Sequence, residues 1–235
     1  MNWELGRNSK TARLAGLLFL GVVAFGIFAE FSVRGKLIDW ENSVNTFENI
    51  VNHQQLFRIG IMSDLLMNTC YFLFGIVIYH LLKSVNKKQA QFMLMCILLS
   101  VASYSVNMLN QVAVLIISNK TPFLSDFNDL QLSGLTTLFM KIHGHGYKIS
   151  QIFFGLYLFP LGYLFYHSGF LPKWIGIILM IGCAVDLIDV VVHFLLPETD
   201  SVILSNITIP ADLGELSMFL WLLIMGVNEY RKDKK

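Results

Sequence analysis

The chain has 235 residues, of which 55% are hydrophobic and only 14% charged, whereas a water-soluble domain carries about one quarter charged residues. Its mean hydropathy of +0.60 makes lipid the expected solvent for most of the surface, and a net charge of +1 leaves no field that would gather nucleic acid or an acidic partner. Cys70, Cys96 and Cys183 fall in separate apolar runs without a CxxC spacing, which excludes a disulfide framework and reads as three small buried hydrophobes.

In chain order, the N-terminus MNWELGRNSKTAR followed by LAGLLFLGVVAFGIFAEF has the basic-then-apolar order of a signal peptide. The apolar run of about 18 residues exceeds the roughly 7 to 15 of a signal core, and no small-x-small site follows it, so it is expected to stay as a first span over 12–32. The stretch 32–56 reads as a plain connector, with a surface-lying amphipathic helix as the alternative, since Leu37, Ile38, Trp40, Phe47, Ile50 and Val51 recur along it. A second span over 57–83 carries Asp64, Asn68 and Tyr71 at helical spacing. The third, over 91–118, bears a stripe of Ser100, Ser103, Asn107 and Asn110 with Gln111 beside it. The fourth, over 138–166, opens with His143, Tyr147, Ser150 and Gln151 among Lys141, His145 and Lys148, and Pro160 is expected to kink it. The fifth, over 173–196, holds Asp186, Asp189 and His193 on one face, and the sixth, over 210–228, opens with Asp212 and Glu215. Short loops at 84–90 and 167–172 make their flanking helices antiparallel neighbours.

A segment in hydrocarbon must satisfy its own backbone, and runs this long and continuously apolar exclude strands of a barrel. The predicted fold is therefore all-α: a single domain over 1–235 forming an integral membrane bundle of six transmembrane helices. Arg7, Lys10, Arg13, Lys83, Lys87, Lys88, Lys173, Arg231, Lys232, Lys234 and Lys235, eleven of the seventeen basic residues, cluster at one set of span ends. That bias predicts cytoplasmic N- and C-termini. Asn206-Ile207-Thr208 matches a glycosylation acceptor on the outer side.

Depth sorts the polar residues. Counted inward from Pro197 at about 1.5 Å per residue, His193 lies about 6 Å deep, Asp189 about 12 Å and Asp186 about 16 Å. A lipid-facing aspartate at such depth costs about 2.5 to 3.5 kcal/mol, so this face must look into protein. Every span contributes to the same outer layer, while the inner halves hold few ionisable groups. The pattern predicts an outward-facing intramembrane polar pocket, with Asp64, His143, Asp189 and Glu215 as candidate catalytic or binding residues. Asp189 and His193 at i and i+4, with His143, are the candidate ligands of zinc or another divalent metal, which would acidify a bound water for hydrolysis. The expected ligand is a lipid or small molecule reaching the pocket from the outer side. A proton- or ion-coupled carrier and a non-catalytic scaffold are the alternatives. Pairing of Lys148 with Asp186 or Asp189 is the structural reading of the same charges.

The segments ARLAGLLFLGVVAFGIFAEF, FRIGIMSDLLM, IHGHGYKISQIFFGL, LGYLFYHSGFLPKWIG, LIDVVVHFLLP and GELSMFLWLLIMGVN together resemble the bacterial multi-pass membrane family called domain of unknown function 4386. The resemblance places Ser63, Asp64, His143, Gly146, Tyr147, Asp189, Gly214 and Glu215 on the family's pattern, and this chain departs from it at His145, Asp186 and His193. It implies residence in the bacterial cytoplasmic membrane and six spans, and it lends no activity.

Overall fold

The computed structural model describes residues 2–196 and 207–227. Asn206 of the glycosylation acceptor and the basic tail Arg231, Lys232, Lys234 and Lys235 lie outside the described residues, as do the side chains of residues 2–8. The described residues form helices and no strand. Five helices are long and apolar enough to cross a bilayer: Ser9–Leu37, Gln54–Leu82, Lys87–Ser118, Asp129–His167 and Lys173–Leu195. They fall on the first five predicted spans. In the region of the sixth, the helix Ile209–Ile224 has 16 residues, short of the roughly 20 that a crossing needs. Apolar side chains such as Leu17, Met95, Val106 and Ile181 are exposed along these helices, as a lipid-facing surface requires.

Local chemistry sets the helix ends. The Asn86 side chain accepts from Lys88 N and Gln89 N at 3.1 and 3.2 Å to start the third long helix. Asn128 and Gln131 exchange side-chain to backbone bonds at 2.9 Å each way, a capping box at the head of the fourth. That helix is interrupted at Tyr157, between Asp129–Leu156 and Leu158–His167. Pro160, three residues on, has no N–H to return to the preceding turn, which accounts for an interruption where the sequence predicts a kink. A second interruption, at Met108, has no proline. There Asn110 Nδ2 captures the Asn107 carbonyl at 2.9 Å, and Gln111 N turns instead to Met108 O at 3.0 Å. A side chain competing for backbone has broken the ladder.

The chain packs into two compact units. The first is drawn from Met1–Leu20, Cys70–Val101 and Lys148–Lys235, the second from Gly21–Thr69 and Ala102–Tyr147. In the first unit small residues allow close helix approach. A Cβ on Gly162 would lie 2.4 Å from the Gly176 carbonyl, and one on Gly182 would lie 2.7 Å from Ala211 Cα. The hairpin around 167–172 is thus packed antiparallel, and Gly75 against Ile97 does the same across 84–90. In the second unit, Val33, Leu37, Ile50, Phe57, Val114 and Met140 form one core cluster, and Phe47, Ile117 and Leu132 a second.

Two expectations are corrected here. The stretch 32–56 is not a plain connector: it contains the helix Ser43–Asn52, which buries Thr46, Phe47 and Ile50 and is capped by Asn42, whose side chain accepts from Val44 N and Asn45 N. The first span also does not stop at 32. It widens into a π-helical stretch, Phe28–Arg34, and continues to Leu37.

Candidate functional site

The second unit holds a polar network around Asp64, which is fully buried. Its carboxylate accepts from Arg34 Nη1 at 2.5 Å and Nη2 at 3.4 Å, from Gln111 Nε2 at 2.8 Å, and from the Tyr104 hydroxyl. Arg34 Nε donates to Glu30 Oε2 at 2.7 Å. The π-helical turn carries both Glu30 and Arg34, and such turns gather at functional sites because they re-aim side chains within a span. Arg34 is the member that the sequence reading placed in an outer loop.

Gln111 ties this ion pair to His143. Its Nε2 also lies 3.0 Å from His143 Nε2, and an amide nitrogen can only donate. His143 Nε2 therefore accepts from Gln111, which requires a neutral imidazole. Nδ1 faces the Asn107 amide nitrogen at 3.2 Å and the Asn107 carbonyl, released by the break at Met108, at 3.5 Å. Reversing the Gln111 amide would set its oxygen against the Asp64 carboxylate, so the ion pair fixes the amide. Asn107 Nδ2 donates to His143 O at 2.9 Å and locks the histidine backbone to the third helix.

This network forms the back of a cavity of about 390 Å³ within the second unit. Glu30, Arg34, Trp40, Tyr104, His143, Gly144 and Tyr147 line it, with Gly26, Met67 and Met140. Tyr104 and Tyr147 stand nearly at right angles, with ring centroids 6.1 Å apart and planes at 81°. A Cβ on Gly144 would meet nothing within 4 Å, whereas one on Gly146 would fall 2.0 Å from Asn107 Oδ1. The first of these glycines therefore opens space and the second permits contact.

The first unit holds the other candidates. Lys148 Nζ pairs with Asp189 Oδ2 at 2.5 Å, and Gln151 Nε2 donates to the same oxygen at 2.8 Å. This is one of the two pairings that the structural reading of these charges anticipated. The Tyr157 hydroxyl donates to Glu215 Oε1. Asp186 is buried, packed so closely on Gly155 that a Cβ there would come within 2.8 Å of its own.

Asp64 and His143 therefore lie in one unit, joined through Gln111, and Asp189 and Glu215 lie in the other. The residues named as metal ligands are not gathered into one donor set. Among the described residues, no three His, Cys, Asp or Glu side chains stand together as a metal group. His143 has both ring nitrogens facing protein groups, Asp189 is engaged by Lys148, and the His193 ring meets Phe194 edge-on at 5.0 Å.

The family model for domain of unknown function 4386 matches residues 14–226. The chain belongs to that family. The matched stretch takes in both units' polar residues, from Glu30 to Glu215. A protein of Archaeoglobus fulgidus described as uncharacterized is 34% identical over 113 residues, which is 46% of this chain and 66% of that protein. The chain thus spans a little under two thirds of that relative's length. No solved structure matches.

Arg34, Gln111, Trp40 and Tyr104 escaped the sequence reading, Tyr104 because it is an aromatic residue in an apolar run. Arg34 sits four residues after Glu30, the spacing of a helical ion pair, which is the signal that could have kept it in the span. Gln111 stood beside the stripe of the third span without a role. Trp40 was one apolar residue among several in a loop.

Proposed function

We propose that this family member is a multi-pass protein of the cytoplasmic membrane, with six spans and both termini inside, whose second unit binds an amphiphilic lipid or small molecule from the outer side. The carrying observation is the cavity of about 390 Å³ backed by the Arg34, Asp64, Gln111 and His143 network. Its volume falls in the range of small-molecule sites, about 300 to 1,000 Å³, and its mixture of apolar wall and a few fixed polar groups is the usual composition of such sites. Binding is favoured over hydrolysis by the state of the polar groups. Asp64 is saturated with donors, both His143 nitrogens are engaged, and none of the residues lining the cavity is a serine, threonine or cysteine. A general base needs a free lone pair within reach of the reacting proton; His143 has already given its lone pair to Gln111, and the lining carboxylate, Glu30, is ion-paired to Arg34.

Native mass spectrometry of protein purified from its own membrane tests this reading. Gly144→Leu should fill the cavity from a position where an added Cβ meets nothing, leaving thermal stability unchanged. The expected result is a bound species of defined mass on the wild type that is lost from the variant. A wild type without an adduct, or equal adducts on both proteins, would sink the proposal.

A further inference from the structure

The geometry points to an organic cation, an ammonium group carrying a hydrocarbon tail, as the ligand of this cavity; the inference rests on the reading of the cavity as a binding site. It follows from the charge and shape of the site. Glu30 on the lining and the fully buried Asp64, which is paired with Arg34, contribute two carboxylates against one guanidinium, so the group carries a net charge of −1. His143 adds none, since its hydrogen bonds require the neutral tautomer.

Arg34 would be the natural seat for an anion, but its Nε, Nη1 and Nη2 all already point at carboxylate oxygens. An incoming phosphate or carboxylate would have to displace one of them and would face the other. Glu30 is differently placed. Its side chain is 61% exposed and meets Arg34 through Oε2, so Oε1 remains for a ligand.

The aromatic groups complete the argument. Tyr147 and Trp40 line the cavity with 46% and 55% of their surface exposed, and the buried Tyr104 ring packs at 81° against Tyr147. Exposed aromatic rings beside one carboxylate attract alkylated ammonium groups, whose charge is too diffuse to demand directional hydrogen bonds. Arg34 and His143 are committed to protein partners, which leaves few directional groups for a sugar or another neutral polar head. Met67 and Met140 supply soft apolar wall for a chain.

The test uses the full-length protein in neutral detergent, with three probes of equal tail: hexyltrimethylammonium, hexyl sulfate and hexyl glucoside. Saturable binding is measured by titration calorimetry, and Gly144→Leu supplies the background. The ammonium should bind at least tenfold tighter than either other probe. Glu30→Gln and Tyr147→Leu should each weaken it about fivefold or more while the melting temperature stays near that of the wild type. Competition by phosphatidylcholine but not free choline would assign the ammonium to a lipid headgroup, and the reverse would assign it to a soluble metabolite; both outcomes support the inference. Tighter or equal binding of the sulfate or glucoside would overturn it. So would no saturable binding of the ammonium, or unchanged affinity in both variants. If the cation fails while a native adduct is still lost in Gly144→Leu, the pocket stands and only its specificity falls; if the adduct is absent as well, both fall.

Discussion

Asp64 in the second unit and Asp189 in the first are both aspartates on long apolar helices, and both are paired with a base, yet the pairs differ in kind. Asp64 is fully buried and its arginine partner is held at a second point by Glu30, so the guanidinium is a fixed plane that forms part of a cavity wall. Asp189 meets the flexible amine of Lys148, and the two side chains are 14% and 27% exposed. A planar, doubly anchored cation builds a surface; a point charge on a long stem neutralises a neighbour. The presence of a charge inside an apolar helix thus does not announce a site. What marks the Asp64 group is that its arginine, anchored at two points, also lines a cavity.

The largest effect that would sharpen this contrast is Asp64→Ala. It leaves Arg34 in a pocket where its chief partner is gone, and removing one member of a buried pair costs about 3 to 5 kcal/mol. The expected outcome is a steep loss of thermal stability in detergent; a change below about 1 kcal/mol would mean that the network is not a structural unit. Next comes Gly146→Ala, whose Cβ has no room against Asn107. Overpacking of this kind costs about 1 to 3 kcal/mol, and Gly144→Ala, two residues away, should be silent in the same denaturation series. Lys148→Met in the first unit should cost only about 1 kcal/mol, in keeping with its partial exposure, and should leave probe binding in the cavity unchanged. Loss of binding in that variant would break the distinction between the two regions.

The smallest effect concerns Asp39, on the stretch that leads to the helix Ser43–Asn52. Its carboxylate accepts from Asn45 Nδ2 and from the backbone of Glu41 and Asn42, and these bonds hold its pKa below the usual carboxylate value. A lowered folded-state pKa adds stability above the unfolded value, and that increment disappears as pH falls through the folded one. Amide protection factors across Ser43–Asn52, corrected for the intrinsic exchange rate, should therefore fall below about pH 4, and Asp39→Asn should remove most of that pH dependence.

How much of this could be read from residues alone depends on the length scale of the signal. Apolar runs of twenty or more residues are unmistakable, and five of them became the long helices. Asp64 and His143 stood out because ionisable groups in such runs are costly unless partnered. Periodicity, however, reports which face a residue occupies and not which neighbour that face meets. For that reason depth alone groups Asp64, His143, Asp189 and Glu215 into one pocket, whereas the link through Gln111 that joins Asp64 to His143 is a neighbour relation that no periodicity carries. Arg34 was lost because the hydrophobic run ends before it, while the helix does not. The break at Met108 has no proline or glycine to mark it; it arises from Asn110 reaching a carbonyl, an event visible only in three dimensions. The helix Ser43–Asn52 is too short for its pattern to outweigh that of a loop.

The stretch Asp129–His167 has 39 residues. At about 1.5 Å each it runs to about 58 Å, nearly twice a hydrocarbon core of about 30 Å. A stretch of that length crosses only if it tilts, bends at the interruption beside Tyr157 or extends past the hydrocarbon, and its leading end carries Leu132, on which Phe47 of the loop helix rests. A tilt set by mismatch makes bilayer thickness a variable for this protein, so it should behave differently in thin and thick membranes.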